Sequence, residues 1–151
     1  MENQEKQAAV QRIETNMPSV AHLETSLRAK RELGHILGIH GPPTPRGKQI
    51  ADGYVRLVEK TTLEYQESRE KLIAFFKDGT FDHYCRAQDH FESSIHSLHR
   101  AILYLDQLRG LGFRRSDGTP FVPRPRDLEV LREDVKSRVR EFRDLAEHLD
   151  N

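Results

Sequence analysis

The sequence predicts an all-α protein, an antiparallel helical bundle of four main helices plus a short N-terminal helix. Three observations carry this expectation. Apolar residues recur at steps of three and four through long stretches, most cleanly from Phe81 to Leu105. Proline and glycine cluster at a few breaks, Gly41-Pro42-Pro43-Thr44-Pro45, Asp78-Gly79 and Asp117-Gly118-Thr119-Pro120. No segment alternates apolar and polar residues between turn signals as a half-buried strand does.

The 151 residues suit one domain, 1–151, with a core of its own. A charged share of 32% against 36% hydrophobic fits long amphipathic helices, each with one apolar stripe.

Residues 2–16 are polar, with Val10, Ile13 and Met17 as a thin apolar line, and read as a helix frayed at its start. Pro18-Ser19 interrupts it, and Ser19 can cap a second helix through Leu37 that carries Leu23, Leu27, Leu33 and Leu37. Thr44 and Pro45 offer an N-cap and a first helical position for a long helix to Lys77. Ile50, Tyr54, Leu57, Val58, Thr61, Tyr65, Leu72 and Phe75 form its stripe. Gly53, inside it, costs about 1 kcal/mol relative to alanine. Asp78-Gly79 ends the helix and Thr80 starts the next, so the two are antiparallel neighbours. The 80–109 helix carries a heptad-like seam of Phe81, Tyr84, Gln88, Phe91, Ile95, Leu98, Ile102 and Leu105, with Gln88 its one polar member. Residues 113–125 are a turn-rich loop, with Phe121 and Val122 tacked onto the bundle. The last helix is expected from Arg126 to Leu149.

Net charge is zero, so attraction to polyanions is not built in globally. From Arg109 to Arg143, however, ten Lys/Arg face six Asp/Glu, a local excess of +4 that suits a phosphate-bearing partner. The single cysteine, Cys85, permits no internal disulfide or cysteine-based zinc site. With no apolar run long enough to span a membrane and no signal-like start in Met1-Glu2-Asn3-Gln4-Glu5-Lys6, a cytoplasmic setting is expected. Phosphate-binding loops, dinucleotide fingerprints and nucleophile elbows are absent from the sequence.

The chemistry-bearing stretch is Arg143-Asp144-Leu145-Ala146-Glu147-His148. Arginine stays charged and presents a planar fork of donors to phosphate oxygens. Histidine changes protonation near neutrality and serves as general base or acid. Asp144 and His148 are four apart, on one side of a helix, where a carboxylate can hold an imidazole in one tautomer. Phosphate binding plus proton transfer is what metal-free RNA cleavage needs. The 2′-hydroxyl loses its proton and attacks phosphorus, the P–O5′ bond breaks, the leaving oxygen is protonated, and arginine stabilises the charge between. Arg143 and His148 lie about 140° apart on an ideal helix, so they cannot share a narrow face and flank a cleft only if a partner helix sits between them.

Arginine, a polar residue and then histidine on the last helix of an α-helical bundle resembles the HEPN superfamily (higher eukaryotes and prokaryotes nucleotide-binding). Arg143, Asp144 and His148 match its pattern. The resemblance implies a metal-independent ribonuclease, possibly a toxin or defence effector, working without a cofactor as a homodimer whose two Arg/His sets meet. It also implies a possible nucleotidyltransferase-type antitoxin as partner. In it His148 is general base and acid, Arg143 the phosphate and transition-state ligand, and Asp144 the orienter.

Two other readings stand beside it. His83, His90, His96 and His99 crowd one helix, and Glu92, His96 and His99 share a stripe. That stripe fits a metal site only with a further ligand from elsewhere; alternatively His96, His99 and Arg100 extend a phosphate-binding surface. The competing functional class is a non-catalytic helical interaction module, in which Arg143–Glu147 and Asp144–His148 are solvated couples four residues apart.

Overall fold

The computed structural model describes residues 2–23 and 42–149, with side chains over 4–23 and 42–145. The fold is all-α. Helix α1 runs Glu2–Asn16, α2 Pro45–Asp78, α3 Phe81–Gly110 and α4 Glu133–Leu149. Ala21, His22 and Leu23 are also helical, but the rest of the helix expected from Ser19 to Leu37 lies outside the described residues. Among the described residues the only β pairing is an isolated antiparallel bridge between Arg114 and Pro120.

The punctuation works as its chemistry dictates. Thr44 Oγ1 accepts the Gly47 N–H at 3.1 Å, with Pro45 opening α2, whose first amides otherwise lack partners. At the far end Gly79 takes φ = 75°, a left-handed conformation open to glycine, and its N–H donates to the Phe75 carbonyl at 2.8 Å. The chain then reverses within two residues, and α3 returns along α2. Paired residues step in opposite directions along the two helices: Ser68 with Ala87, Thr61 with Ser94, Gly53 with Tyr104.

Small residues make the contact between these helices. Ala87, Ser94, Ser97 and Ala101 are buried on α3, and Thr62 and Ser68 on α2. A buried hydroxyl needs a partner, and two of these find theirs on the facing helix. Ser68 Oγ donates to the Ala87 carbonyl at 2.8 Å, and Ser94 Oγ to the Thr61 carbonyl at 3.0 Å. The expected α3 seam is therefore corrected by one position. Ala87, Ser94, Ser97 and Ala101 face inward where Gln88, Ile95, Leu98 and Ile102 were expected to lead. Ile102 and Leu105 are buried in both readings, whereas Phe81, Tyr84 and Phe91 remain exposed.

Helix α1 lies on α2 through buried Ile13. The segment after it is pinned by α2 side chains: Arg69 Nε donates to the Met17 carbonyl at 2.6 Å, and Gln66 Oε1 accepts the Val20 N–H at 3.0 Å.

After α3 the chain forms a small hairpin-like turn, closed by the Phe121 N–H to the Phe113 carbonyl at 2.8 Å. It sets Val122 into a core of Ile50, Leu105, Leu108 and Leu131, with Phe121 packed against it, as the sequence predicts. The last helix starts at Glu133, seven residues later than Arg126. Pro125–Asp127 and Glu129–Leu131 are separate 3₁₀ turns, because Leu128 (φ −136°, ψ 104°) and Arg132 (φ −68°, ψ 141°) are extended and break the helical path. Helix α4 then runs antiparallel to α3, Lys136 reaching Asp106 and Arg143 reaching His99.

Two glycines of α2 are sites of close approach. A Cβ on Gly47 would lie 2.5 Å from Pro42 Cβ and 2.6 Å from the Phe113 ring; one on Gly53 would lie 2.8 Å from the Tyr104 ring. Gly53 thus admits Tyr104, which accounts for its place inside a helix. Gly47→Ala gains about 1 kcal/mol of helix propensity but overpacks against a buried proline, at a cost of about 1–3 kcal/mol. The expected outcome is a lower thermal midpoint by calorimetry; a raised midpoint would show that Pro42 and Phe113 yield easily.

Candidate functional site

Helices α3 and α4 bring together two residues that are 44 apart in sequence. Lys136 Nζ donates to Asp106 Oδ2 at 2.5 Å, an ion pair that locks the register of the two helices. Just under two turns further along α4, the same face carries Arg143 to His99. Arg143 Nη1 lies 3.4 Å from both Nδ1 and Nε2 of the imidazole. A donor equidistant from both ring nitrogens at that distance is not a strong, linear hydrogen bond to either. It places a fixed positive charge beside the ring.

The guanidinium is itself oriented. Asp144 Oδ1 accepts from Arg143 Nε at 3.0 Å and also from Nη2. Arg143 is partly buried, its side chain 26% exposed, while Asp144 opens further to solvent. The neighbouring carboxylate thus fixes which donors of the fork remain directed elsewhere.

His99 responds to this setting. Its pKa is lowered from the ordinary imidazole value, first by burial and then by the positive charges of Arg143 and Arg140, with a smaller push from His96 and a partial offset from Asp144. Both leading causes disfavour the imidazolium and so favour the neutral ring. A neutral imidazole touching a guanidinium can take a proton, while the arginine holds an anion beside it.

Of the residues singled out in the sequence, Arg143 and Asp144 are in direct contact with one another. His148 occupies the last turn of α4, and its side chain lies outside the described residues. The proposed Asp144–His148 pairing is therefore not described, whereas Asp144 has the guanidinium as a partner. His99, placed by sequence in the histidine stripe, is the residue that the fold adds to the site. No spacing within one helix could signal this, since the contact depends on the register of α4 on α3.

Two other histidines of α3 pair separately. His90 Nδ1 meets Glu64 Oε2 of α2 at 2.7 Å, and His83 Nε2 meets Asp78 Oδ2 at 3.3 Å. Among the described residues no group of three or more His, Cys, Asp or Glu side chains is arranged to hold a metal ion, the Glu92, His96 and His99 stripe included. Among the described residues no helix is long and apolar enough to cross a membrane. Compared with family models, with curated proteins and with solved structures, the chain finds no match.

Proposed function

We propose that this chain is a HEPN-like ribonuclease that cleaves RNA through attack of the 2′-hydroxyl, in a step that uses imidazole and guanidinium groups instead of a metal. The observation that carries the reading is the Arg143–His99 contact, a fixed cation beside an imidazole whose neutral form is favoured. His99 takes the 2′-hydroxyl proton as O2′ attacks phosphorus. Arg143 holds the non-bridging oxygens as charge builds on them. His148, placed by the sequence pattern, returns a proton to O5′ as the P–O5′ bond breaks. The products carry a 2′,3′-cyclic phosphate and a 5′-hydroxyl. A phosphate bound at Arg143 also offsets the guanidinium's effect on His99, so substrate makes the base stronger when it is needed.

The same reading puts the chain in the cytoplasm as a homodimer, in the manner of a toxin or defence effector held by a nucleotidyltransferase-type antitoxin. Phe142 and Leu145, 52% and 57% exposed on α4, support a helix-to-helix partner. That exposed face equally favours the second reading, an interaction module without catalysis.

RNA cleavage by the purified protein in excess EDTA separates the two. The expected result is cleavage that leaves cyclic phosphate ends in the parent and is lost in folded His148→Ala. Absence of cleavage across varied RNAs moves the assignment to the interaction module.

The pH profile tests His99. As base it works in its neutral form, so the rate rises with pH until the imidazole is deprotonated. In kcat/KM, which reports the protein without substrate, its depressed pKa sets that acidic limb below the ordinary imidazole value of about 6.5. His99→Gln is expected to remove the limb along with most of the activity. A limb that survives unchanged in His99→Gln assigns the base elsewhere.

A further inference from the structure

At the C-terminal end of α3 the loop after Gly110 leaves an open depression of about 170 Å³. That is smaller than the roughly 300–1,000 Å³ of a pocket that engulfs a drug-sized ligand, so it holds part of a nucleotide and leaves the rest at its open mouth. Leu108, Phe113 and Val122 line its apolar part and Arg109, Arg114 and Arg124 its charged part, and no acidic residue lines it. The three arginines are not neutralised equally. Arg109 lies 3.3 Å from Asp106, but that carboxylate is already shared with Lys136 at 2.5 Å. Arg114 Nη1 donates to the Gly118 carbonyl at 2.8 Å, which orients the side chain without cancelling its charge. Arg124 has no ion-pair partner among the described residues. Nearby, Asp117 is occupied by Thr119, and Asp127 lies 3.8 Å from Arg126.

We infer that this pocket binds one nucleotide of a single-stranded RNA, its phosphate on Arg114 and Arg124 and its base against the apolar wall that includes Phe113. Guanidinium forks match phosphate oxygens, and an aromatic wall accepts the face of any base, so together they recognise a nucleotide better than a bare anion. Position argues for a polymer. Arg109 and His99 are ten residues apart on the same helix, about 15 Å at 1.5 Å per residue. Lys136 and Arg140 of α4 lie on the stretch between, beside Asp106 and Glu133, so a strand cleaved at His99 crosses a polar face of paired charges to reach the pocket. The identification of the polymer as RNA rests on the ribonuclease reading.

The test measures binding of a fluorescent oligoribonucleotide with 2′-O-methyl riboses, which has no attacking hydroxyl and cannot be cleaved by this route. The double variant Arg114→Ala/Arg124→Ala is expected to weaken binding by about tenfold or more, since it removes two charge-assisted contacts. The slope of log affinity against log salt should fall by about 0.7, the value for one phosphate contact on a single strand. The control Lys77→Ala/Arg86→Ala removes the same charge at the opposite end of the α2–α3 hairpin and should leave affinity in place. Adenosine monophosphate should compete at concentrations where inorganic phosphate does not. Equal affinity in the parent and the pocket variant, or equal weakening by both double variants, overturns the inference. Competition by phosphate as strong as by the nucleotide overturns the base-stacking half of it. Because the oligonucleotide is uncleavable, the pocket can stand where the ribonuclease assay fails, and fall where that assay succeeds.

Discussion

Replacing Arg143 with alanine is expected to lower RNA cleavage by about 10²–10³-fold, the usual cost of removing one charge-stabilising donor from a transition state. The fold should survive. The Arg143 side chain is a quarter exposed, and its loss leaves Asp144, about half exposed, to be solvated by water instead of stranding a buried charge. The variant also carries a second signature. Arg143 is one of the two positive charges that most depress His99, so its removal raises the His99 pKa. Any residual activity should then show its acidic limb at higher pH than the parent, because the neutral imidazole is reached later on raising pH. Arg143→Lys restores the charge but not the planar fork, and should recover only part of the rate while returning the limb toward its original place. Single-turnover cleavage of a short labelled RNA across pH measures both effects. Unchanged cleavage in Arg143→Ala sinks the assignment. A lost rate in both variants with an unfolded circular dichroism spectrum would show a structural role instead.

How much of this was legible in the sequence depends on the range of the interaction involved. Local chemistry was readable. Thr44 and Pro45 open α2, Gly79 closes it in the left-handed conformation, and Phe121 and Val122 pack as expected. The α3 seam was misplaced by one residue for a physical reason. Hydrophobic periodicity weighs bulky side chains, but two long helices in close contact bury small ones, and the Ser68 and Ser94 hydroxyls are tolerable there because a carbonyl of the facing helix accepts each proton. Gly53 read as a cost because the ring of Tyr104, a third of the chain away, was not visible. The start of α4 moved from Arg126 to Glu133 because Leu128 and Arg132 are extended, and nothing in their side chains forbids helix. The site divides in the same way. Arg143 and Asp144 were found from a pattern within one helix; His99 required the register of α4 on α3, which Lys136 and Asp106 set across 30 residues.

Leu131→Ala should be the most damaging single truncation in the core. Leu131 is 2% exposed and sits in the second 3₁₀ turn, where it joins Ile50 of α2, Leu105 and Leu108 of α3 and Val122 of the loop. Three parts of the chain therefore lose contact with one side chain, and the rigid turn gives the cavity little room to collapse. Leu→Ala at such a site costs about 2–5 kcal/mol. For a chain of this length that lowers the thermal midpoint by on the order of 10 °C. The urea midpoint should fall with the slope unchanged, as expected when the native state is weakened without altering what unfolds. Leu131→Met keeps the volume and should cost less than about 1.5 kcal/mol. The useful contrast is Leu145→Ala, at a leucine that is 57% exposed on α4. In a monomer that change should stay within about 0.5 kcal/mol. A large loss at Leu145 that grows with protein concentration would mean that a second copy covers this face. The same unfolding experiment would then place Phe142 and Leu145 in the dimer contact that the ribonuclease reading requires.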